Sequence, residues 1–173
     1  GIEYATIFSA LDVHVTLVEP RDSMLDFIDR ELVSDLTYQL RDRGVVLRFG
    51  SKVENVVKRD GGGCAIELEG GRTINSETVL FAAGRMGATP NLNLEAAGLD
   101  CDHRGRLTVD AKTFQTSVPH IYAAGDVIGF PSLASTSMEQ GRLAAAHAFG
   151  IPTNSVPELF PYGIYAIPEI SMV

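Results

Sequence analysis

The sequence predicts an α/β fold, a parallel sheet with helices on its faces and an antiparallel meander appended, and three stretches predict it. Residues 2–19 read as a helix followed by a strand that closes on an acid. Residues 53–74 are short apolar runs joined by Gly61-Gly62-Gly63 and Gly70-Gly71. Residues 119–150 are an apolar run, a Gly-Asp pair, a loop and an Ala-rich helix. Strands that alternate with helical patterns belong to parallel sheets, and glycine-turned short strands to antiparallel ones.

In chain order, Ile7, Phe8 and Leu11 give the first helix its apolar periodicity, Asp12 ends it, and Val13, Val15, Leu17 and Val18 form a strand closing on Glu19. Helix, strand and acid in this order are one half of a Rossmann-type three-layer nucleotide-binding domain, in which the acid takes a ribose 2′-hydroxyl. Gly1 lies 18 positions before Glu19, the place of the last glycine of a G-x-G-x-x-G turn. Standing alone, Glu19 would read as a solvated strand-end charge.

Residues 21–27 form a connecting loop. From Asp29 to Arg43, Leu32, Leu36 and Leu40 recur at helical spacing, and Gly44 supplies the stop. Val45-Val46-Leu47 is a short buried strand. Val53–Lys58, Ala65–Leu68 and Arg72–Ile74 make the meander. Thr78–Arg85 reads as a further apolar strand ending in glycine, and Leu92–Leu99 as a short helix ended by Gly98. Residues 106–109 and 113–116 read as strand and turn.

Ile121-Tyr122-Ala123-Ala124 is expected to be a buried strand delivering Gly125 and Asp126 to its carboxyl end, where ligands of open α/β sheets lie. The glycine admits a ligand close to the backbone. Asp126 can accept from sugar hydroxyls or simply cap the backbone, and local chemistry leaves both open. The helix that follows aims its N-terminal amides and positive dipole end at the same place.

The wording AAGDVIG, then SLAS and EQGR, resembles the second flavin-binding motif of the two-dinucleotide FAD/NAD(P) disulfide oxidoreductases. TVLFAAGR resembles that family's A-T-G-R-x-P element, with Ala83 where threonine is usual. The resemblance implies that Gly125, Asp126 and Ala134 hold FAD. It implies that Gly1, Glu3, Glu19, Val53 and Gly84 hold NAD, Glu3 also bordering the hydride path as the one catalytic candidate. For Glu3 a first-turn acid complementing the helix dipole is compatible with that role, and for Val53 an ordinary strand valine is the plainer reading. NADP-selective members place two arginines in the loop after the acid; the matching positions here are Pro20 and Asp26, and Arg21 is the nearby cation.

The resemblance divides the chain into an NAD(P)-binding domain over residues 1–84, the C-terminal part of an FAD-binding domain over 85–154, and a linker with the start of a dimerisation domain over 155–173. The linker signal is Pro152, Pro157, Pro161 and Pro168. The tail YGIYAIPEISMV is then expected to leave Ile164, Tyr165, Ile167 and Ile170 without partners. The chain is expected to be the middle of a longer protein, inactive as a segment and homodimeric or larger when complete.

Composition limits the function. With 45% apolar and 21% charged residues, the 173-residue chain is globular. A net charge of −8 argues against a nucleic-acid surface, no apolar run reaches a membrane span, and no basic start followed by an apolar core leads to the expectation of a signal peptide. Cys64 and Cys101 lack CxxC spacing, so no disulfide framework or metal site is expected, and a reduced, cytoplasmic compartment is. GDVIGFPSLAS together with GIYAIPEIS points, within the family, to the flavoproteins that transfer hydride between NADPH and NAD through FAD. Two alternatives stay open: a dihydrolipoamide dehydrogenase or related disulfide reductase, and a non-catalytic nucleotide-binding fragment.

Overall fold

A computed structural model describes residues 1–153 and 161–173. The described residues fall into two compact units, the first made of Gly1–Ala83 with Pro161–Val173, the second of Gly84–Phe160, described to residue 153. Of the expected linker, residues 155–160 lie outside the described residues.

The first unit is α/β. Helix α1 (Ile2–Ala10) leads to strand β1 (Thr16–Val18), and α2 (Arg30–Asp42) crosses to β2 (Val46–Arg48), which pairs parallel with β1 in the register Thr16↔Val46. The Glu19 amide donates to the Arg48 carbonyl at 3.0 Å, carrying the ladder to the acid. Helix α2 begins where expected because the Asp29 carboxylate accepts from the Glu31 amide at 2.8 Å. It ends where expected because Gly44 turns left-handed at φ +80, and the Val45 and Gly44 amides close on the Leu40 and Arg41 carbonyls. Strands β3 (Val53–Lys58), β4 (Cys64–Leu68) and β5 (Arg72–Ser76) form an antiparallel sheet in the order β3-β4-β5, with an irregularity in β3 between Val53 and Asn55.

The core of this unit is Leu36 and Leu40 of α2 with Met24, Ile28 and Val45, joined by Ile164, Ala166 and Ile170. The last three come from a hairpin of β6 (Tyr162–Ile164) and β7 (Ile170–Met172). The tail therefore corrects the expectation of an unpartnered apolar end. Of the four, Ile164 and Ile170 are buried, and Tyr165 and Ile167 stay exposed. Alternation along the hairpin sends one face into the core and the other out. The Arg43 guanidinium also donates to the Ile167 carbonyl at 2.6 Å.

The expected helix forms as α1, but the apolar positions read for it are not its buried side. Ala5, Thr6 and Ser9 face inward, whereas Tyr4, Ile7, Phe8 and Leu11 are exposed. Leu32 of α2 is likewise exposed. Residues 78–85 form no strand, and Phe81 is 88% exposed. A strand exists only as a rung of a ladder, and this run has no ladder partner among the described residues.

In the second unit the expected helix at 92–99 is a single 3-10 turn, Leu94–Ala97, closed by Gly98 at φ +73. The expected strands at 106–109 and 121–124 reduce, among the described residues, to one bridge from Tyr122 to Gln115, which lies in the stretch 113–116 expected to turn. Side chains take up the polar work that a ladder does elsewhere. Asp110 accepts from the Lys112 and Thr113 amides, and Thr116 Oγ1 donates to the Ile121 carbonyl. Helix α3 (Ala134–Ala148) packs Leu143 and Ala144 against Phe114, and its His147 Nδ1 lies 2.9 Å from the Tyr122 hydroxyl.

Candidate functional site

Each unit carries one group of the expected site residues. In the first, Gly1 is the N-cap of α1 and no side chain caps that helix's first amides. A Cβ at Gly1 would come within 3.3 Å of the Ala82 Cβ, so glycine lets the start of the helix lie against that segment. Glu3 sits in the first turn, partly buried, and its Oε1 accepts from the Tyr165 amide at 2.9 Å. Val53 opens β3 with its side chain exposed.

Glu19 follows β1 and is held by Arg21. The guanidinium Nε donates to Oε1 at 2.8 Å and Nη2 to Oε2 at 3.1 Å, while the Arg21 amide adds 3.1 Å to Oε1. These bonds, the side-chain ones first, hold the Glu19 carboxyl below its ordinary range, and Glu19 in turn raises Arg21. Arg21 Nη1 donates onward to Asp26 Oδ2 at 2.9 Å, and Ser23 Oγ donates to Asp26 Oδ1 at 2.9 Å. The loop therefore carries a carboxylate–guanidinium–carboxylate chain anchored at the strand end.

Gly84 opens the second unit, with φ +100 and open space where a Cβ would stand. A side chain there is excluded by backbone conformation, not by crowding. Gly125 and Asp126 begin a 3-10 turn, Gly125–Ile128. One hydrogen bond fixes the turn: the Gly125 amide donates to the buried Gln140 Oε1 at 2.7 Å. A Cβ on Gly125 (φ +83) would stand 3.1 Å from Ser137 Oγ, so the close packing there suits glycine. Asp126 Oδ2 lies 2.7 Å from Arg85 Nε. Ala134 is the first residue of α3, exposed, and no side chain caps that helix's first amides either. Thr136 and Ser137 hydroxyls donate back to the Leu133 carbonyl, which fixes the helix start without occupying those amides.

The structure brings Gly125 and Asp126 into one turn packed on the helix that Ala134 opens. It places Gly1 and Glu3 on one helix start, Glu19 at a strand end, and Val53 on the meander. Three groups were missed: Gln140, Arg85 and the Tyr165 amide. Gln140 had a signal, a polar residue on the apolar side of an Ala-rich helix. Arg85 and Tyr165 act through contacts distant in sequence, which no local pattern announces.

Among the described residues no group of three or more His, Cys, Asp or Glu could hold a metal ion, and no helix is long and apolar enough to cross a membrane. Both cysteines are free.

The family model described as pyridine nucleotide-disulphide oxidoreductase matches residues 1–141. The chain belongs to this family. Over all 173 residues it is 56% identical to the soluble pyridine nucleotide transhydrogenase of Mycobacterium tuberculosis strain ATCC 25177 / H37Ra, and covers 36% of that protein. It is 45% identical over 174 aligned positions to the protein of the same name from Salmonella paratyphi B, covering 37% of it. The chain thus spans little more than a third of the length of the relatives it matches. Among solved structures, LpdA of Mycobacterium tuberculosis superposes with a TM-score of 0.89 at 31% identity, over 98% of this chain and 37% of that one. The HOCl-induced flavoprotein disulfide reductase RclA of Escherichia coli, in its Cu(II) complex, does so with 0.87 at 28% identity, over 99% and 39%. Membership of a pyridine nucleotide-disulphide oxidoreductase family accords with the Rossmann-type α/β architecture of the first unit.

Proposed function

We propose that this chain is the nucleotide-handling segment of a flavoprotein oxidoreductase that transfers hydride between NADPH and NAD through FAD. The observation that carries the reading is 56% identity along the whole chain to a soluble pyridine nucleotide transhydrogenase. In this reading residues 1–84 bind NAD(P), 85–154 complete an FAD site, and 155–173 link to and begin a dimerisation domain of a cytoplasmic homodimer or larger homo-oligomer.

The residues present suit both groups chemically. Asp126 uses only Oδ2 for Arg85, which leaves Oδ1 for a ribityl or phosphate-end donor. Gly125 presents backbone without a side chain, and the uncapped start of α3 at Ala134 offers amides to an electron-rich edge. Flavin, when bound, supplies the two-electron relay between two nicotinamides. The protein's own work is to hold and orient. Glu19 accepts a ribose hydroxyl through Oε2, which takes one bond from Arg21, whereas Oε1 already takes two. Gly1 admits the pyrophosphate to the start of α1, with Gly84 and Val53 giving backbone contacts. Glu3, oriented by the Tyr165 amide, borders the nicotinamide.

The test is a steady-state assay of the full-length, FAD-loaded protein with NADPH and thio-NAD. Thio-NADH formation without any added disulfide supports the reading. NADH-dependent reduction of lipoamide or another disulfide, with no thio-NADH formed, favours a disulfide reductase. Absence of both reactions favours a non-catalytic nucleotide-binding protein.

A further inference from the structure

We propose that Asp26 sets the nucleotide preference of the Glu19 loop as a positioning residue that keeps the Arg21 guanidinium away from a ribose 2′-phosphate. The inference rests on the nucleotide-binding reading of that loop and goes beyond it. Nucleotide choice would be governed by competition for Arg21, and not by the Glu19 charge alone.

Arg21 is the cation of this loop, and both of its neighbouring carboxylates hold it. Glu19 accepts from Nε and from one Nη2 hydrogen, and Asp26 Oδ2 accepts one Nη1 hydrogen at 2.9 Å, on the one guanidinium nitrogen that Glu19 does not engage. Asp26 is itself aimed, since Ser23 Oγ donates to its Oδ1 at 2.9 Å. The Glu19 contact is bidentate with an added amide bond, and the Glu19 side chain is only 20% exposed. The Asp26 contact is a single bond between side chains 57% and 50% exposed. The weak end of the chain is therefore Arg21–Asp26.

NAD, with its 2′-hydroxyl, has no use for a second cation partner and leaves the chain intact. A 2′-phosphate carries about −1.5 to −2 charges and strong acceptor oxygens. It can displace a singly bonded, half-exposed carboxylate from Nη1 while the Glu19 bonds keep the guanidinium in place. In the wild type that exchange works against the Arg21–Asp26 pair and against the nearby negative charge of Asp26 itself. Removing that charge relieves both, and a solvent-exposed pair of this kind corresponds to a change of up to about fivefold.

The experiment is equilibrium binding of NAD⁺ and NADP⁺ to the full-length, FAD-loaded protein as wild type, Asp26→Asn and Asp26→Glu. Thermal melting serves as the folding check. Asp26→Asn is expected to tighten NADP⁺ about two- to fivefold and to leave NAD⁺ essentially unchanged. The gain should shrink in ~1 M salt, where the Debye length is about 3 Å. Asp26→Glu, which keeps the charge, should retain the wild-type ratio. A structural role alone would move both nucleotides together and would not depend on salt. An unchanged NADP⁺-to-NAD⁺ ratio in Asp26→Asn, with both nucleotides still bound, overturns the inference and leaves the nucleotide site standing. A wild type that binds neither nucleotide overturns both.

Discussion

Replacing Gln140 with leucine isolates the contact that holds the Gly-Asp turn. Leucine is close to glutamine in size, so the packing of α3 is largely kept while the acceptor is deleted. In the native chain Gln140 is 6% exposed and its Oε1 receives the Gly125 amide at 2.7 Å. Without it that amide is a buried donor with no acceptor, a loss of about 1–3 kcal/mol. With an m-value of about 2 kcal/mol/M, the urea midpoint should fall by about 0.5–1.5 M. Asp126 follows Gly125 directly, so FAD affinity should weaken as well, about fivefold or more if as little as 1 kcal/mol reaches the site. The assay is urea unfolding of the full-length protein followed by circular dichroism, with FAD titration on the same variant. A Gln140→Leu variant with wild-type midpoint and wild-type FAD affinity would refute the reasoning.

Four further outcomes are expected. Glu19→Ala should weaken NAD⁺ and relatively improve NADP⁺ by about tenfold, a charge-assisted contact being worth ~1–3 kcal/mol. Arg21→Ala should harm NADP⁺ more than NAD⁺, and competitive binding of the two nucleotides checks both variants. Ile164→Ala should destabilise by about 2–4 kcal/mol because Ile164 is 5% exposed in the first unit's core, whereas Tyr165→Ala, at a 73% exposed site, should stay within about 0.5 kcal/mol in the same urea series. Backbone amides hold the Asp110 and Asp102 carboxyls below the ordinary range. The stability they lend is therefore complete above an unfolded value of about 3.9 and is lost as pH falls through the lower folded values, which faster amide exchange at Lys112, Thr113, Arg104 and Arg106 would report.

Local rules were legible in the sequence and distant pairings were not. Asp29 and Gly44 bound α2 at both ends because a cap needs only its own neighbours. The meander was readable for the same reason, its glycines giving the left-handed turns at Gly61 to Gly63 and at Gly70 and Gly71. Residues 78–83 and 121–124 are apolar enough to be strands, yet strand formation depends on a partner elsewhere, and the described residues supply none to the first run and a single bridge, Gln115↔Tyr122, to the second. Burial failed where it depends on what packs where. The tail at Ile164 and Ile170 enters a core that α2 begins more than a hundred residues earlier. In the site, residue types and positions could be read at Glu19 and Asp126, but the guanidinium held by each could not. Arg85 reaches Asp126 across the unit, and Arg21 turns back on Glu19 when it could have pointed outward.

The proposed activity is tested most directly by following the flavin itself. The full-length, FAD-loaded protein is mixed anaerobically with one equivalent of NADPH, then with excess NAD⁺, and the visible flavin band is recorded throughout. The account predicts that the band bleaches with NADPH and returns on adding NAD⁺, with NADH formed in equal amount and no disulfide present. A flavin that NADPH leaves oxidised, or that stays reduced after NAD⁺ until a disulfide is added, would contradict it.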